Sequence, residues 1–194
     1  MKKITYIFLV FLCLKTYSQT PIISMTDYKN NNTNLVENSY LKDIDNKYGL
    51  VEGTWQWSNS NDSLILIFEK IEFVYDGFNY SDILIGKYKY IKNGVELINT
   101  LNNNINNSNF WLYTSTILYT SGYNNESDFE FVFYDKLKNK HCSILFELQN
   151  TDYLPNGQIY SNEAILEIWE EEKINSNNNS IGFTFPNEAT LIKQ

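Results

Sequence analysis

The residue types best suited to nucleophilic or metal chemistry are scarce here, and two of them are adjacent. His141 is the sole histidine and Cys142 is one of two cysteines. A thiolate activated by a neighbouring imidazole is what such a pair would offer. They open the run His141-Cys142-Ser143-Ile144-Leu145-Phe146-Glu147-Leu148. Cys142, Ile144, Phe146 and Leu148 alternate there with His141, Ser143, Leu145 and Glu147, the pattern of a strand. Adjacent side chains leave a strand on opposite faces, so the two groups cannot share a proton. Cys142 is expected as a buried thiol acting as a small hydrophobe, and His141 as an exposed residue at a hairpin mouth.

The remaining inventory is equally thin. One His and one Cys cannot build a zinc site without carboxylates, and no His or Cys pair has ligand spacing. There is no Gly-x-Ser-x-Gly and no Gly-rich phosphate loop. Asp43, Asp45 and Asn46 begin a calcium-loop pattern that fails at Lys47. Glu167, Glu170, Glu171 and Glu172 are the densest acids. A glycosidase needs two carboxyls facing across a cleft, and an acidic run at a strand end reads as solvated surface. The expectation is a protein with no catalytic residues, no metal and no cofactor, hence no enzyme.

What is plentiful is aromatic surface: 4 Trp, 15 Tyr and 12 Phe. In Tyr48-Gly49-Leu50-Val51-Glu52-Gly53-Thr54-Trp55-Gln56-Trp57, Val51, Gly53, Trp55 and Trp57 fall on one face. Glu52, Thr54 and Gln56 fall on the other, which marks a half-buried strand. With Tyr88 and Tyr90, the two indoles are the candidate lining of a ligand pocket. The competing reading is that these rings fill the core, since an eight-stranded barrel has room for packed side chains or one small ligand.

The elements that would position these residues follow in order. Ser63–Tyr75 is a long β-branched and aromatic run, with a bend or bulge expected near Glu69-Lys70. Ile83–Lys92 and Val95–Leu101 flank Asn93-Gly94, the strongest hairpin signal in the chain. Asn102–Asn109 reads as a mobile Asn-rich loop, and Trp111–Ser121 as a strand rich in Thr and Tyr. Phe129, Phe131 and Phe133 alternate with Glu130, Val132 and Tyr134, and the chain then returns through residues 141–148. Ala164–Glu171 suits a helix by composition and a strand by alternation; strand is chosen. Phe183-Thr184-Phe185 and Thr190-Leu191-Ile192 are expected as a short closing strand. The class is therefore all-β, an antiparallel meander barrel of eight to nine strands with no convincing helix.

Composition bounds the partners. All 15 basic residues are lysine, and the formal net charge is −8. Such a chain should repel nucleic acid and cannot grip phosphate with guanidinium forks. Met1-Lys2-Lys3 followed by apolar Ile4–Leu14 reads as a signal peptide over residues 1–18, cleaved near Gln19. No lipid anchor is expected, because Cys13 follows Val10-Phe11-Leu12. The mature chain then carries about −11, one cysteine and no transmembrane segment, in the periplasm or outside the cell. Residues 19–44 read as an extended lead-in and 45–194 as one barrel domain, with a 3₁₀ turn possible before the Trp strand.

Asn46-Lys47-Tyr48 followed by Gly53-Thr54-Trp55 resembles the opening of lipocalin-type barrels. There a short 3₁₀ turn precedes Gly-x-Trp on the first strand. The resemblance implies a lipocalin-like shape. Lipocalins pack an arginine of the last strand over that Trp; this chain has none, and Lys193 lies nearest the corresponding place. Together with Asp82–Tyr90, Asn93-Gly94 and Phe183-Thr184-Phe185-Pro186, the pattern is similar to an uncharacterised family of small secreted Bacteroidota proteins. The leading expectation is an exported non-enzymatic barrel binding a small apolar or aromatic ligand at Trp55, Trp57, Tyr88 and Tyr90. The alternative is an envelope interaction or inhibitor module with a packed core, acting on an envelope protein through its loops.

Overall fold

A computed structural model describes residues 20–30, 33–114, 116–120, 122–123, 127–135, 137–138, 140–153, 159–172 and 183–194. The proposed signal peptide lies outside the described residues. Thirteen strands and one short helix appear among those described. In chain order they are β1 (Ile22–Ser24), α1 (Met25–Lys29), β2 (Tyr40–Lys42), β3 (Gly53–Ser58), β4 (Ser63–Tyr75), β5 (Tyr80–Lys92), β6 (Val95–Asn99), β7 (Leu118–Thr120), β8 (Asp128–Asp135), β9 (Lys140–Gln149), β10 (Asp152–Tyr153), β11 (Ile159–Tyr160), β12 (Glu163–Glu172) and β13 (Glu188–Lys193). Eight of them, β3, β4, β5, β7, β8, β9, β12 and β13, pair antiparallel in sequence order, and β13 returns to β3. This is a closed up-and-down barrel, and closure removes the two edges that an open sheet would expose. No helix among the described residues is long and apolar enough to cross a membrane.

Alternation decides what lies inside. Trp55, Leu64, Leu66, Phe68, Leu84, Tyr88, Tyr90, Leu118, Phe129, Phe131, Phe133, Cys142, Ile144, Phe146, Leu148, Ala164, Leu166 and Leu191 form one buried cluster. The ambiguous segment 164–171 is thus a strand, pairing with β9 on one side and β13 on the other. Its alternate residues Ala164 and Leu166 are needed on the inner wall, which helix-favouring composition cannot override. Asn93 and Gly94 have φ of 51° and 74°, as a type I′ hairpin requires.

Three local expectations are corrected. The bulge in β4 falls at Glu72-Phe73 rather than Glu69-Lys70, where the register with β5 shifts between Ile71 and Val74. Ile71 and Val74 both join a second apolar cluster outside the barrel. Residues three apart share a face of a strand only if one extra residue is inserted between them. Trp111–Ser121 is not a long strand. Phe110–Leu112 forms a 3₁₀ turn, and among the segment's described residues only Leu118–Thr120 joins the sheet. The hydroxyls of Thr114 and Thr116 bond back to the carbonyls of Trp111 and Tyr113, a local competitor to ladder pairing. Phe183–Phe185 is likewise no strand: Thr184 gives its N–H and hydroxyl to the buried Asp135 carboxylate at 2.6 and 2.7 Å.

The Asn-rich loop before Phe110 is held by its own side chains. Asn109 Oδ1 accepts from Asn106 N at 2.7 Å, and Asn109 Nδ2 donates to Asn104 O at 2.9 Å. Ile105, Phe110, Tyr113 and Ile117 then cover Ile71, Val74, Ile83 and Ile85 on the outer face of β4 and β5. The lead-in is also more than an extended arm. Ser24 caps α1, its hydroxyl accepting from Thr26 N at 3.1 Å, and β1 pairs with β2 in parallel. Ile23, Met25, Tyr40 and Leu41 are buried there.

Both barrel mouths are plugged. At one, the 3₁₀ turn Tyr48–Leu50 brings Val51 O within 2.7 Å of Trp55 Nε1. Lys193 Nζ lies 5.2 Å from the Trp55 ring centroid and donates to Leu50 O at 2.9 Å. A cation thus stands over the indole face at this mouth. At the other mouth Phe185 stacks on Phe133 at 4.9 Å and meets Tyr88 edge-on at 4.9 Å.

One missing side chain lets the rings fit. A Cβ at Gly86 would lie 2.8 Å from Phe68 Cε1 and 3.3 Å from Leu118 Cβ. Phe68 is itself wedged 5.0 Å from Phe131 and 5.1 Å from Phe146, so it has nowhere to retreat. Gly86→Ala is therefore expected to lower unfolding free energy by about 1–3 kcal/mol, read from urea denaturation. A neutral or stabilising result would mean this wall has slack.

Candidate functional site

The structure brings the four candidate ligand-lining residues together. Trp55 pairs with Leu66, which pairs with Tyr88, and Trp57 pairs with Leu64, which pairs with Tyr90. They form two adjacent rungs on the inner wall of β3, β4 and β5. What surrounds them is other rings. Trp55 meets Phe146 edge-on at 5.0 Å, Tyr88 meets Phe133 at 5.6 Å, and Tyr90 meets Phe185 at 5.5 Å. Trp55 is 0 % exposed, Tyr88 1 % and Tyr90 2 %, so scarcely a water could touch them. Trp57 is half-buried against the same cluster. Burial holds the Tyr88 phenol well above its ordinary pKa, and Tyr90 is raised for the same reason.

The groups with chemical potential are kept apart. Cys142 is buried, its Sγ 3.5 Å from Phe133 O, whereas His141 is exposed with its ring 5.0 Å from that of Tyr134. The calcium-like start is a turn clamp: Asp43 accepts from Lys47 N at 2.7 Å and Tyr48 N at 3.1 Å. Burial raises the Asp43 carboxyl, against those two hydrogen bonds and the Lys70 charge. Among the described residues no three His, Cys, Asp or Glu side chains converge as a metal set. Glu167 is exposed.

Outside the barrel lies a feature that alternation alone did not reveal. The β4–β5 hairpin carries Phe73, Tyr75, Phe78 and Tyr80 around its turn. Phe73 stacks on Tyr80 at 4.1 Å with planes 16° apart and meets Tyr40 edge-on at 4.8 Å. Tyr75 lies 4.9 Å from Tyr80. Trp111, 51 % exposed, donates from Nε1 to Tyr75 O at 2.8 Å, and Tyr75 donates its hydroxyl to Gly77 O. Both polar handles are thus bonded within the hairpin and its brace, while Phe73, Tyr75, Phe78 and Trp111 stay exposed. Phe73 is 40 % exposed and sits at φ 61°, a conformation that costs a bulky residue on the order of 1–3 kcal/mol. Glycine or asparagine would hold that bulge at lower cost.

A family model matches residues 1–194. The chain belongs to a family of unknown function, DUF6705. No curated protein and no solved structure matches it. The family thus covers the whole chain, barrel and lead-in alike, and brings no activity to the site.

The base of the aromatic surface rests on a buried carboxylate. Tyr40 donates its hydroxyl to Asp82 Oδ1, and Asp82 Oδ2 accepts from Asp43 N at 3.0 Å. Asp82 is 0 % exposed. Tyr40→Phe keeps the ring beneath Phe73 but leaves one buried carboxylate oxygen without its donor. The expected loss is about 1–3 kcal/mol in chemical denaturation. Unchanged stability would show that Asp82 finds another donor.

Proposed function

We propose that this DUF6705 member is an exported, non-enzymatic binding module whose barrel is a solid scaffold and whose recognition happens outside it. The observation behind this reading is the occlusion of Trp55, Tyr88 and Tyr90. A ligand in the barrel would have to displace aromatic pairs worth about 1 kcal/mol each beyond their burial. Export rests on Lys2-Lys3 and the apolar run that follows, and an origin in Bacteroidota on the resemblance carried by Gly53-Thr54-Trp55, Asp82–Tyr90 and Phe183-Thr184-Phe185-Pro186. The acidic, arginine-free composition argues against nucleic acid. The separation of His141 from Cys142 argues against nucleophilic catalysis.

Two exterior features fit recognition. The exposed rings of the β4–β5 hairpin, braced by Trp111, suit an envelope or extracellular protein partner, since Trp and Tyr anchors concentrate interface energy. A small apolar or aromatic ligand, excluded from the barrel, fits better beneath α1. For the protein partner, a photo-crosslinking amino acid at Leu112, beside Trp111, should give a discrete adduct in cells making the protein. Phe73→Ser with Trp111→Ser should abolish it. A crosslinker at the exposed Leu137, in the β8–β9 turn, should not reproduce that adduct. Identical adducts from both positions, or an adduct indifferent to the serine variants, would contradict the surface.

A further inference from the structure

A cavity of about 210 Å³ lies between α1, β2 and the segment after β7, walled by Met25, Tyr28, Lys29, Leu41, Gly122 and Tyr123. Its wall is nearly all apolar. Met25 and Leu41 are buried. The one strongly polar atom of Tyr123 is spoken for: its hydroxyl lies 2.5 Å from Thr26 Oγ1, which also bonds Asp45. That pair of bonds fixes the Tyr123 ring as a wall. Lys29 Nζ stands 4.9 Å from the centroid of the same ring.

We infer that this cavity is a binding site for one small, neutral, planar aromatic molecule, of a size from benzene to indole. The inference rests on the reading that recognition happens outside the barrel and names a ligand class for one of its exterior features. Size sets the scale. An apolar cavity of about 150 Å³ holds benzene, so the space here has room for a second fused ring. Wall chemistry sets the shape. Two tyrosine rings and a methionine thioether favour a flat π-system, through ring contacts and sulfur–aromatic contacts. Desolvation sets neutrality. A carboxylate pressed against this nearly all-apolar wall would lose water that the wall cannot replace, and the Asp45 carboxylate stands behind Tyr123 on the shared Thr26 hydroxyl.

The chain contains two methionines, Met1 and Met25, which gives the test an isolated reporter. In protein labelled with ¹³C-methyl methionine, indole should move the Met25 signal upfield through its ring current. The shift should saturate with a Kd on the order of 0.1–1 mM. Indole-3-acetate should bind at least about ten-fold more weakly. A Cβ at Gly122 meets no atom within 4 Å, so Gly122→Leu should fold while filling part of the space and weaken indole binding. Leu41→Ala should enlarge the cavity and favour naphthalene over indole, which serves should the first variant not fold. A Met25 signal that does not move up to the solubility limit of indole, or moves without saturating, would overturn the inference. So would equal binding of indole and indole-3-acetate. None of these failures would touch the solid barrel, whereas indole perturbing Trp55 rather than Met25 would count against both.

Discussion

The barrel closes where Lys193 of β13 pairs with Trp55 of β3, and closing there forces a space problem. Eight strands enclose an interior that either side chains fill or one small ligand occupies, and here side chains fill it. Into that space this chain sends Trp55, Phe68, Tyr88, Tyr90, Phe129, Phe131, Phe133 and Phe146, with Phe185 entering from one mouth. Closure is possible because small residues are interleaved with the rings. Gly86 yields its side-chain volume to Phe68, and Ala164 stands among larger neighbours on β12. The rings settle into edge-on and tilted contacts near 5 Å, the arrangement aromatic quadrupoles prefer.

Much else follows from a filled interior. Each mouth needs a stopper to keep rings from water, and each has one: the Tyr48–Leu50 turn with its lysine, and Phe185 tethered by Asp135. Apolar residues that alternate to the outside cannot be taken in, so they require a second cover. Ile71, Val74, Ile83 and Ile85 find it in the loop around Phe110. The bulge that turns Val74 toward this cover also leaves Phe73 at positive φ. One packing demand thus produces both the outer core and the aromatic surface beside it.

Much of the architecture was legible in the sequence because a period of two is local. Trp55 and Trp57, Phe129 to Phe133, Cys142 to Leu148, and the Asn93-Gly94 turn each announced strand, face or turn without reference to distant residues. The same parity separated His141 from Cys142. What stayed hidden depended on contacts far along the chain. The bulge at Glu72-Phe73 answers to Phe110 and Ile117, roughly forty residues on. Thr184 is held out of a ladder by Asp135. Asn104 to Asn109, which look like filler, make the hydrogen bonds that shape their loop. The candidate site divides the same way. The placing of Trp55, Trp57, Tyr88 and Tyr90 on one wall was readable from alternation. Whether space remained beside them was not, because Phe146 and Phe133 reach them from other strands and Phe185 from the segment before β13.

A solid barrel leaves no free volume beside Trp55. A crystal of the protein pressurised with xenon measures this directly, since xenon enters apolar voids and is seen by its scattering. The solid barrel requires no xenon among Trp55, Phe68, Tyr88, Phe133 and Phe146. An ordered xenon atom within that ring of side chains would show a hollow interior and return the ligand site to the barrel.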